Sequence, residues 1–136
     1  MDISNVLLNT TAIEEGVWKD AVDLPGVRLQ VRGTLSSEYS KVLSALQRSA
    51  PSEDRDTDGS LLPEASRRVV GTAISEALLL GWEGLTNGDE PLPYSPDLAL
   101  RILTHDAGKR LAGAVLATAA QVDKERAESY EDLLGN

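Results

Sequence analysis

The sequence predicts a mainly α fold, a small helical bundle of about four helices with an N-terminal β-hairpin. Three observations predict it. Residues 16–32 alternate with period two, residues 37–48 and 61–80 recur at three and four, and Ser95-Pro96 opens a further helical run. At 136 residues there is room for one domain, read here as 1–136. With 41% hydrophobic against 26% charged residues, that domain can bury a real core. Two Trp, three Tyr and no Phe make the core aliphatic.

The hairpin comes first. Val17, Trp18 and Lys19 lead through Asp23-Leu24-Pro25-Gly26 into Val27, Leu29 and Val31, with Arg28, Gln30 and Arg32 at the alternate positions. Pro25 pre-sets φ at turn position i+1 and Gly26 accepts a positive φ at i+2, which fits a type II turn or a slightly longer loop. A lone hairpin is marginal in water, so it must lie on helices, with Trp18 as the expected contact. Ser36 or Ser37 then caps a helix whose Tyr39, Val42, Leu43 and Leu46 form one apolar stripe.

The segment 49–60, SAPSEDRDTDGS, has nothing larger than alanine to bury and reads as a flexible acidic linker. From Leu61, with Pro63 in the first turn, Leu62, Ala65, Val69, Ala73, Ala77 and Leu80 recur at helical spacing, and Val70, Ile74 and Leu78 widen the stripe. This predicts a long central helix ending at Gly81 as a left-handed C-cap. Trp82 to Tyr94 carries two Gly, two Pro and Asn-Gly and reads as a structured turn. Ser95 caps a short helix ending near His105. Asp106 then opens a last helix of about 25 residues striped by Leu111, Ala114, Val115, Thr118, Ala119 and Val122. Residues 123–136 read as a charged end that frays, anchored only by Tyr130, Leu133 and Leu134.

Composition removes most catalytic templates. There is no Cys and one His, so zinc sites, disulfides and cysteine nucleophiles drop out. The net charge of −9 and the scattered bases, adjacent only at Arg67-Arg68 and Lys109-Arg110, argue against nucleic acid as a partner. The acidic N-terminus and the short apolar run Val6–Leu8 suit neither a signal peptide nor a membrane span, which points to the cytoplasm. His105 precedes Asp106 as a general base would want, but no activated Ser or Thr accompanies it, so it reads as a helix-end residue. Asp54, Asp56, Asp58 and Gly59 resemble the opening of a calcium loop. The closing acid would fall on Ala65, however, and the match fails. No phosphate-cradling glycine loop is present. The chain reads as a non-enzyme with no cofactor, no metal and no catalytic residue.

Two groups of residues are candidate partner contacts. Trp82, Leu85 and Tyr94 bracket the turn, either as pegs that hold it to the core or as exposed anchors. Leu111, Val115, Ala119 and Val122, with small neighbours Ala112, Ala114 and Ala117, form either a core face or a face on which a partner helix packs.

Several short motifs then coincide. Glu14-Glu15-Gly16-Val17-Trp18 opens the hairpin, Val31-Arg32 closes its second strand, and a helix with Tyr39 follows. Leu79 to Leu85 reads L-L-G-W-E-G-L, and Pro91 to Pro96 reads P-L-P-Y-S-P. This combination resembles the tail assembly chaperones of long-tailed, siphovirus-like bacteriophages, from about Asp2 to about Ala119. The acidic 49–60 segment has no counterpart there. The resemblance implies a chaperone that binds the tape measure protein, keeps it soluble and helps recruit tail tube protein, in many members through a frameshifted longer form. It implies action in the host cell cytoplasm and absence from the mature virion. Coating a long partner in several copies would bring self-association. An acidic inhibitor mimicking DNA and a host regulatory protein-interaction module are the competing classes.

Overall fold

The computed structural model describes residues 1–127. Among these, five helices, α1 Thr10–Glu15, α2 Ser37–Ser49, α3 Pro63–Ala73, α4 Pro96–Leu103 and α5 Lys109–Val122, accompany five strands. Strands β1 Val17–Asp20, β2 Arg28–Val31 and β3 Leu79–Glu83 form one antiparallel sheet in the order β1-β2-β3. Strands β4 Thr86–Asn87 and β5 Glu90–Pro91 form a second, two-stranded one. The fold is therefore mixed α/β, not the mainly helical four-helix bundle that the sequence predicts. No described helix is long and apolar enough to cross a membrane.

The hairpin forms where alternation places it, with Val17 opposite Val31 and Asp20 opposite Arg28. Its turn is closed by the Val27 amide donating to the Leu24 carbonyl (3.1 Å), with Gly26 at φ 80°. A side chain at that φ would be strained, which is why Pro-Gly sits there. Leu29 and Val31 are fully buried on the inner face, which packs on α5. Trp18 does not meet the helices. It stands on the outer face in one row with Gln30 and Gly81, 36% exposed, with the Arg28 guanidinium 5.9 Å from its ring centroid. Strand alternation is the cause: Lys19, opposite Leu29, faces inward, so Trp18 must face out.

The departure from the predicted bundle lies in the long central helix. α3 stops at Ala73, one wide π-turn spans Ile74–Leu78, and the chain then extends as β3. A run such as Ala-Leu-Leu-Leu does not tell a buried helix from a buried strand by periodicity. Pairing with β2 decides it, with Leu29 opposite Trp82, Gln30 opposite Gly81 and Val31 opposite Leu79, and a register shift at Leu80. Gly81 is accordingly a strand residue beneath the Trp18 ring and not a helix cap; a Cβ there would stand 3.3 Å from Trp18 Cη2.

Ending a helix against a sheet leaves carbonyls to satisfy. The Arg32 amide donates to Leu78 O (3.0 Å), and its guanidinium donates to Ala77 O (2.8 Å) and Glu14 O (2.9 Å). Ile74, Ala77 and Leu78 are fully buried behind it. Thr118, also fully buried, accepts from the Val22 amide (3.0 Å) and donates to Ala114 O (2.7 Å), which ties the hairpin to α5.

The capping residues act as their types suggest. Ser36 Oγ accepts from Tyr39 N and Ser95 Oγ from Leu98 N. The Glu14 carboxylate adds a second cap to α2, accepting from the Ser37 amide (3.0 Å) and hydroxyl (2.8 Å). The segment 49–60 is organised around Arg55, whose guanidinium donates to the carbonyls of Ala50, Gly59 and Gln47. The last helix is 14 residues, shorter than predicted, because a 3-10 turn takes up Asp106–Gly108 and the helix stops at Val122. Beyond it, Asp123 accepts from the Thr34 hydroxyl and the Leu35 amide (2.9 Å). The Asn9 amide donates to Glu125 O (2.9 Å), and the Ala127 amide to Leu7 O (3.0 Å). The rest of the predicted charged end, with Tyr130, Leu133 and Leu134, lies outside the described residues.

Two substitutions test this framework. Arg32→Met leaves the Ala77 carbonyl without its donor and is expected to destabilise by about 2 to 3 kcal/mol, read as a lower denaturation midpoint at unchanged m-value. Gly71→Ala would drive a Cβ to 2.2 Å from the Leu103 carbonyl oxygen, where α3 and α4 cross. It is expected to cost about 1 to 3 kcal/mol by thermal unfolding, despite alanine's better helix propensity.

Candidate functional site

The structure places the seven candidate partner residues inside or against the core. Trp82 is 5% exposed, donates from Nε1 to Leu92 O (2.7 Å) and meets Tyr94 edge-to-face at 5.0 Å. Tyr94 is half-buried, its hydroxyl 3.4 Å from Leu79 O, and burial pushes that hydroxyl's pKa up. Leu85 packs on the same cluster, so these three hold the Trp82–Tyr94 turn onto the sheet. Val115, Ala119 and Val122 are fully buried and Leu111 is half-buried, on the face of α5 that covers β2 and the π-turn. Four of the seven, Trp82, Val115, Ala119 and Val122, are buried, whereas Leu85, Tyr94 and Leu111 keep part of their surface exposed.

Acidic residues singled out in the sequence are spent locally. Asp54 pairs with Arg68 (3.5 Å), Asp56 accepts from the Asp58 amide (3.0 Å), and Asp58 from the Ser60 amide (2.8 Å). A hydrogen bond shared with the Asp56 carboxyl, followed by those from Ser60, holds the exposed Asp58 carboxyl down at about 2. Among the described residues no three His, Cys, Asp or Glu side chains converge as a metal site would require. His105 is a helix-end residue in the literal sense: its Nδ1 accepts from the Ala107 amide (2.9 Å) and caps the 3-10 turn before α5. Its neighbour Asp106 turns away to Arg67 (2.8 Å).

That ion pair belongs to a cleft the sequence does not announce. Pro63, Ser66, Arg67, Val70 and Gly71 of α3, Leu103 and His105 at the end of α4, and Lys109 and Ala112 of α5 enclose about 310 Å³. The close crossing of α3 and α4 at Gly71 forms its floor. Its apolar wall is Val70, Leu103 and Ala112; its polar rim is Arg67, His105 and Lys109. These three bases stand 38 and 4 residues apart along the chain. No spacing pattern links them, so only the α3–α4–α5 corner reveals the cluster.

One substitution separates core from interface on α5. Val115→Asp buries a carboxylate with no partner and is expected to abolish cooperative unfolding by circular dichroism. Retained helicity and a normal melt would place Val115 at a surface instead.

No curated protein and no solved structure matches the chain. A family model described as YdaY prophage protein matches residues 34–136, from the loop before α2 onward, and leaves the hairpin outside. This agrees with the phage origin implied by the motif resemblance and says nothing of tail assembly. On a match that spans most of its length, the chain belongs to the YdaY prophage protein family.

Proposed function

We propose that this prophage protein is a non-enzymatic tail assembly chaperone that keeps a tape measure protein soluble and helps recruit tail tube subunits. The observation that carries the reading is the motif pair Leu79–Leu85 and Pro91–Pro96. Both blocks fall within the family match, and they fold into one unit, β3 with the Trp82–Tyr94 turn. Two further motif residues, Glu14 and Arg32, lie outside the family match and brace α2 and the π-turn, so this part of the resemblance rests on the framework of the fold. A small acidic domain that shields a helical partner also suits the role, since like charge keeps such complexes dispersed.

With Trp82, Val115, Ala119 and Val122 buried, a partner helix would meet the partly exposed Leu85, Tyr94 and Leu111 and the apolar side chains that the fold exposes more fully. Trp18, Leu35, Leu62 and Leu100 are 36 to 62% exposed. Contacts of this kind tolerate salt, unlike those of an acidic inhibitor with a basic enzyme.

Co-expression with the tape measure protein of the same prophage tests the reading. The expected outcome is a soluble complex that co-purifies at both low and high salt. Leu35→Asp with Leu100→Asp is expected to leave the melting temperature within about 2 °C and to weaken co-purification. A tape measure protein that precipitates with or without this chain would defeat the proposal.

A further inference from the structure

The sequence holds two places where an Asp or Asn precedes glycine, Asp58-Gly59 and Asn87-Gly88, and the fold treats them differently. Such a pair can react with itself, because the glycine amide nitrogen, with no Cβ to shield it, can attack the side-chain carbonyl carbon of the residue before it. In Asp58-Gly59 both reacting groups are held. The Gly59 amide donates to Asp56 O (3.1 Å), and the Asp58 carboxylate accepts from the Ser60 amide (2.8 Å). Hydrogen bonds with Asp56 and Ser60 keep that carboxyl ionised, at a pKa of about 2, and an ionised carboxylate is a poor electrophile.

Asn87-Gly88 has no such restraint. Residues 86–91 are all exposed, and open space flanks Gly88, where a Cβ would meet nothing within 4 Å. Gly88, at φ 62°, takes the first central position of the two-residue turn between β4 and β5, and Asp89 follows without a positive φ, the type II′ pattern. Its N–H lies outside the ladder and meets no acceptor among the described residues, nor does the Asn87 carboxamide make a hydrogen bond there. The side chains of Asn5 and Asn9, by contrast, accept from Arg126 (2.7 Å) and from the Ala12 amide (3.1 Å). The tip of the hairpin is also weakly closed. Antiparallel pairs alternate between bonded and non-bonded, and the Leu92 amide donates to Leu85 O (2.9 Å). Thr86 with Pro91 is therefore a non-bonded pair, where proline costs no hydrogen bond, and Asn87 with Glu90 is the one bonded pair beyond it. Opening that pair frees the Asn87 backbone to turn its side chain onto the Gly88 nitrogen.

We propose that Asn87 is a self-modification site, at which the chain converts asparagine to isoaspartate and aspartate with loss of ammonia. The Gly88 nitrogen bonds to Asn87 Cγ and loses its proton to solvent base; the carboxamide nitrogen takes up a proton and leaves as ammonia. Water then opens the five-membered succinimide ring. Attack at Cγ gives aspartate, and attack at the α-carbonyl gives isoaspartate, whose main chain is longer by one methylene. Water is the sole co-reactant. The longer main chain cannot keep Asn87 opposite Glu90, and the new carboxylate stands beside Asp89 and Glu90, so the tip opens. Trp82 Nε1, bonded to Leu92 O beneath the tip, keeps the rest of the turn on the sheet. The inference is independent of the tail assembly reading, for it needs no partner.

Peptide mapping of the folded full chain by mass spectrometry, with isoaspartyl and aspartyl forms separated, tests it after incubation at neutral and mildly alkaline pH. The expected result is conversion at residue 87 into both forms, faster at the higher pH and within about tenfold of its rate in the same chain held in denaturant. Asn5, Asn9 and Asp58 should lag by at least about tenfold. Asn87→Gln, whose longer side chain would have to close a six-membered ring, should remove the product without altering the melt. The Glu90 amide should lose its protection from hydrogen exchange in the isoaspartyl form and keep it in Asn87→Asp. An Asn87 that converts in denaturant but stays intact in the folded chain would mean that the hairpin locks it. Equal conversion at Asn5, Asn9 or Asp58 would mean that the fold selects no site, and aspartate alone would mean hydrolysis without the ring. Each of these overturns the proposal.

Discussion

The interaction on which the rest depends is the set of hydrogen bonds from Arg32 to the end of the central helix. A helix that turns directly into a buried strand exposes its last carbonyls where no water reaches them, and that is costly unless a donor is built in. Arg32 supplies three donors at once, to Leu78, Ala77 and Glu14. The first two let the π-turn give way to β3. The third draws in α1, whose Glu14 side chain then caps α2. One residue just past β2 thereby fixes the relation of sheet, central helix and second helix. The V-R ending of the hairpin is informative for that reason.

A second constraint is the close approach at Gly71. With no side chain at that point, the α3 backbone comes up to the Leu103 carbonyl, so α3 and α4 cross almost in contact. Two helices that close bring their flanking side chains to the same place. Arg67 lies one turn before Gly71, His105 two residues beyond Leu103, and Lys109 opens α5 behind them. The cleft is a consequence of how tightly the corner packs. Arg67 and Lys109 converge there beside His105 although the chain as a whole is acidic.

Local signals in the sequence carried a good part of this structure. Alternation plus Pro25-Gly26 placed the hairpin, Ser36-Ser37 and Ser95 placed two helix starts, and the Tyr39 stripe placed the buried face of α2. Each depends on neighbours within a few residues. Three features were not legible, all for the same reason. Leu78-Leu79-Leu80 has no period that selects helix or strand, so β3 exists because β2 is there to pair with it. Trp18 looked like a core residue by size, yet the register of its strand turned it outward. The Arg67, His105 and Lys109 cluster is a product of three elements meeting and has no sequence pattern at all.

The same distinction bears on where a partner can be recognised. In a domain of this size the strongest apolar stripes are needed for folding, and Val115, Ala119 and Val122 are consumed there along with Trp82. What stays exposed are side chains that hydrophobic patterning does not flag: the single leucines Leu35, Leu62 and Leu100 and the outward Trp18. Exposed leucines can add area to any complex.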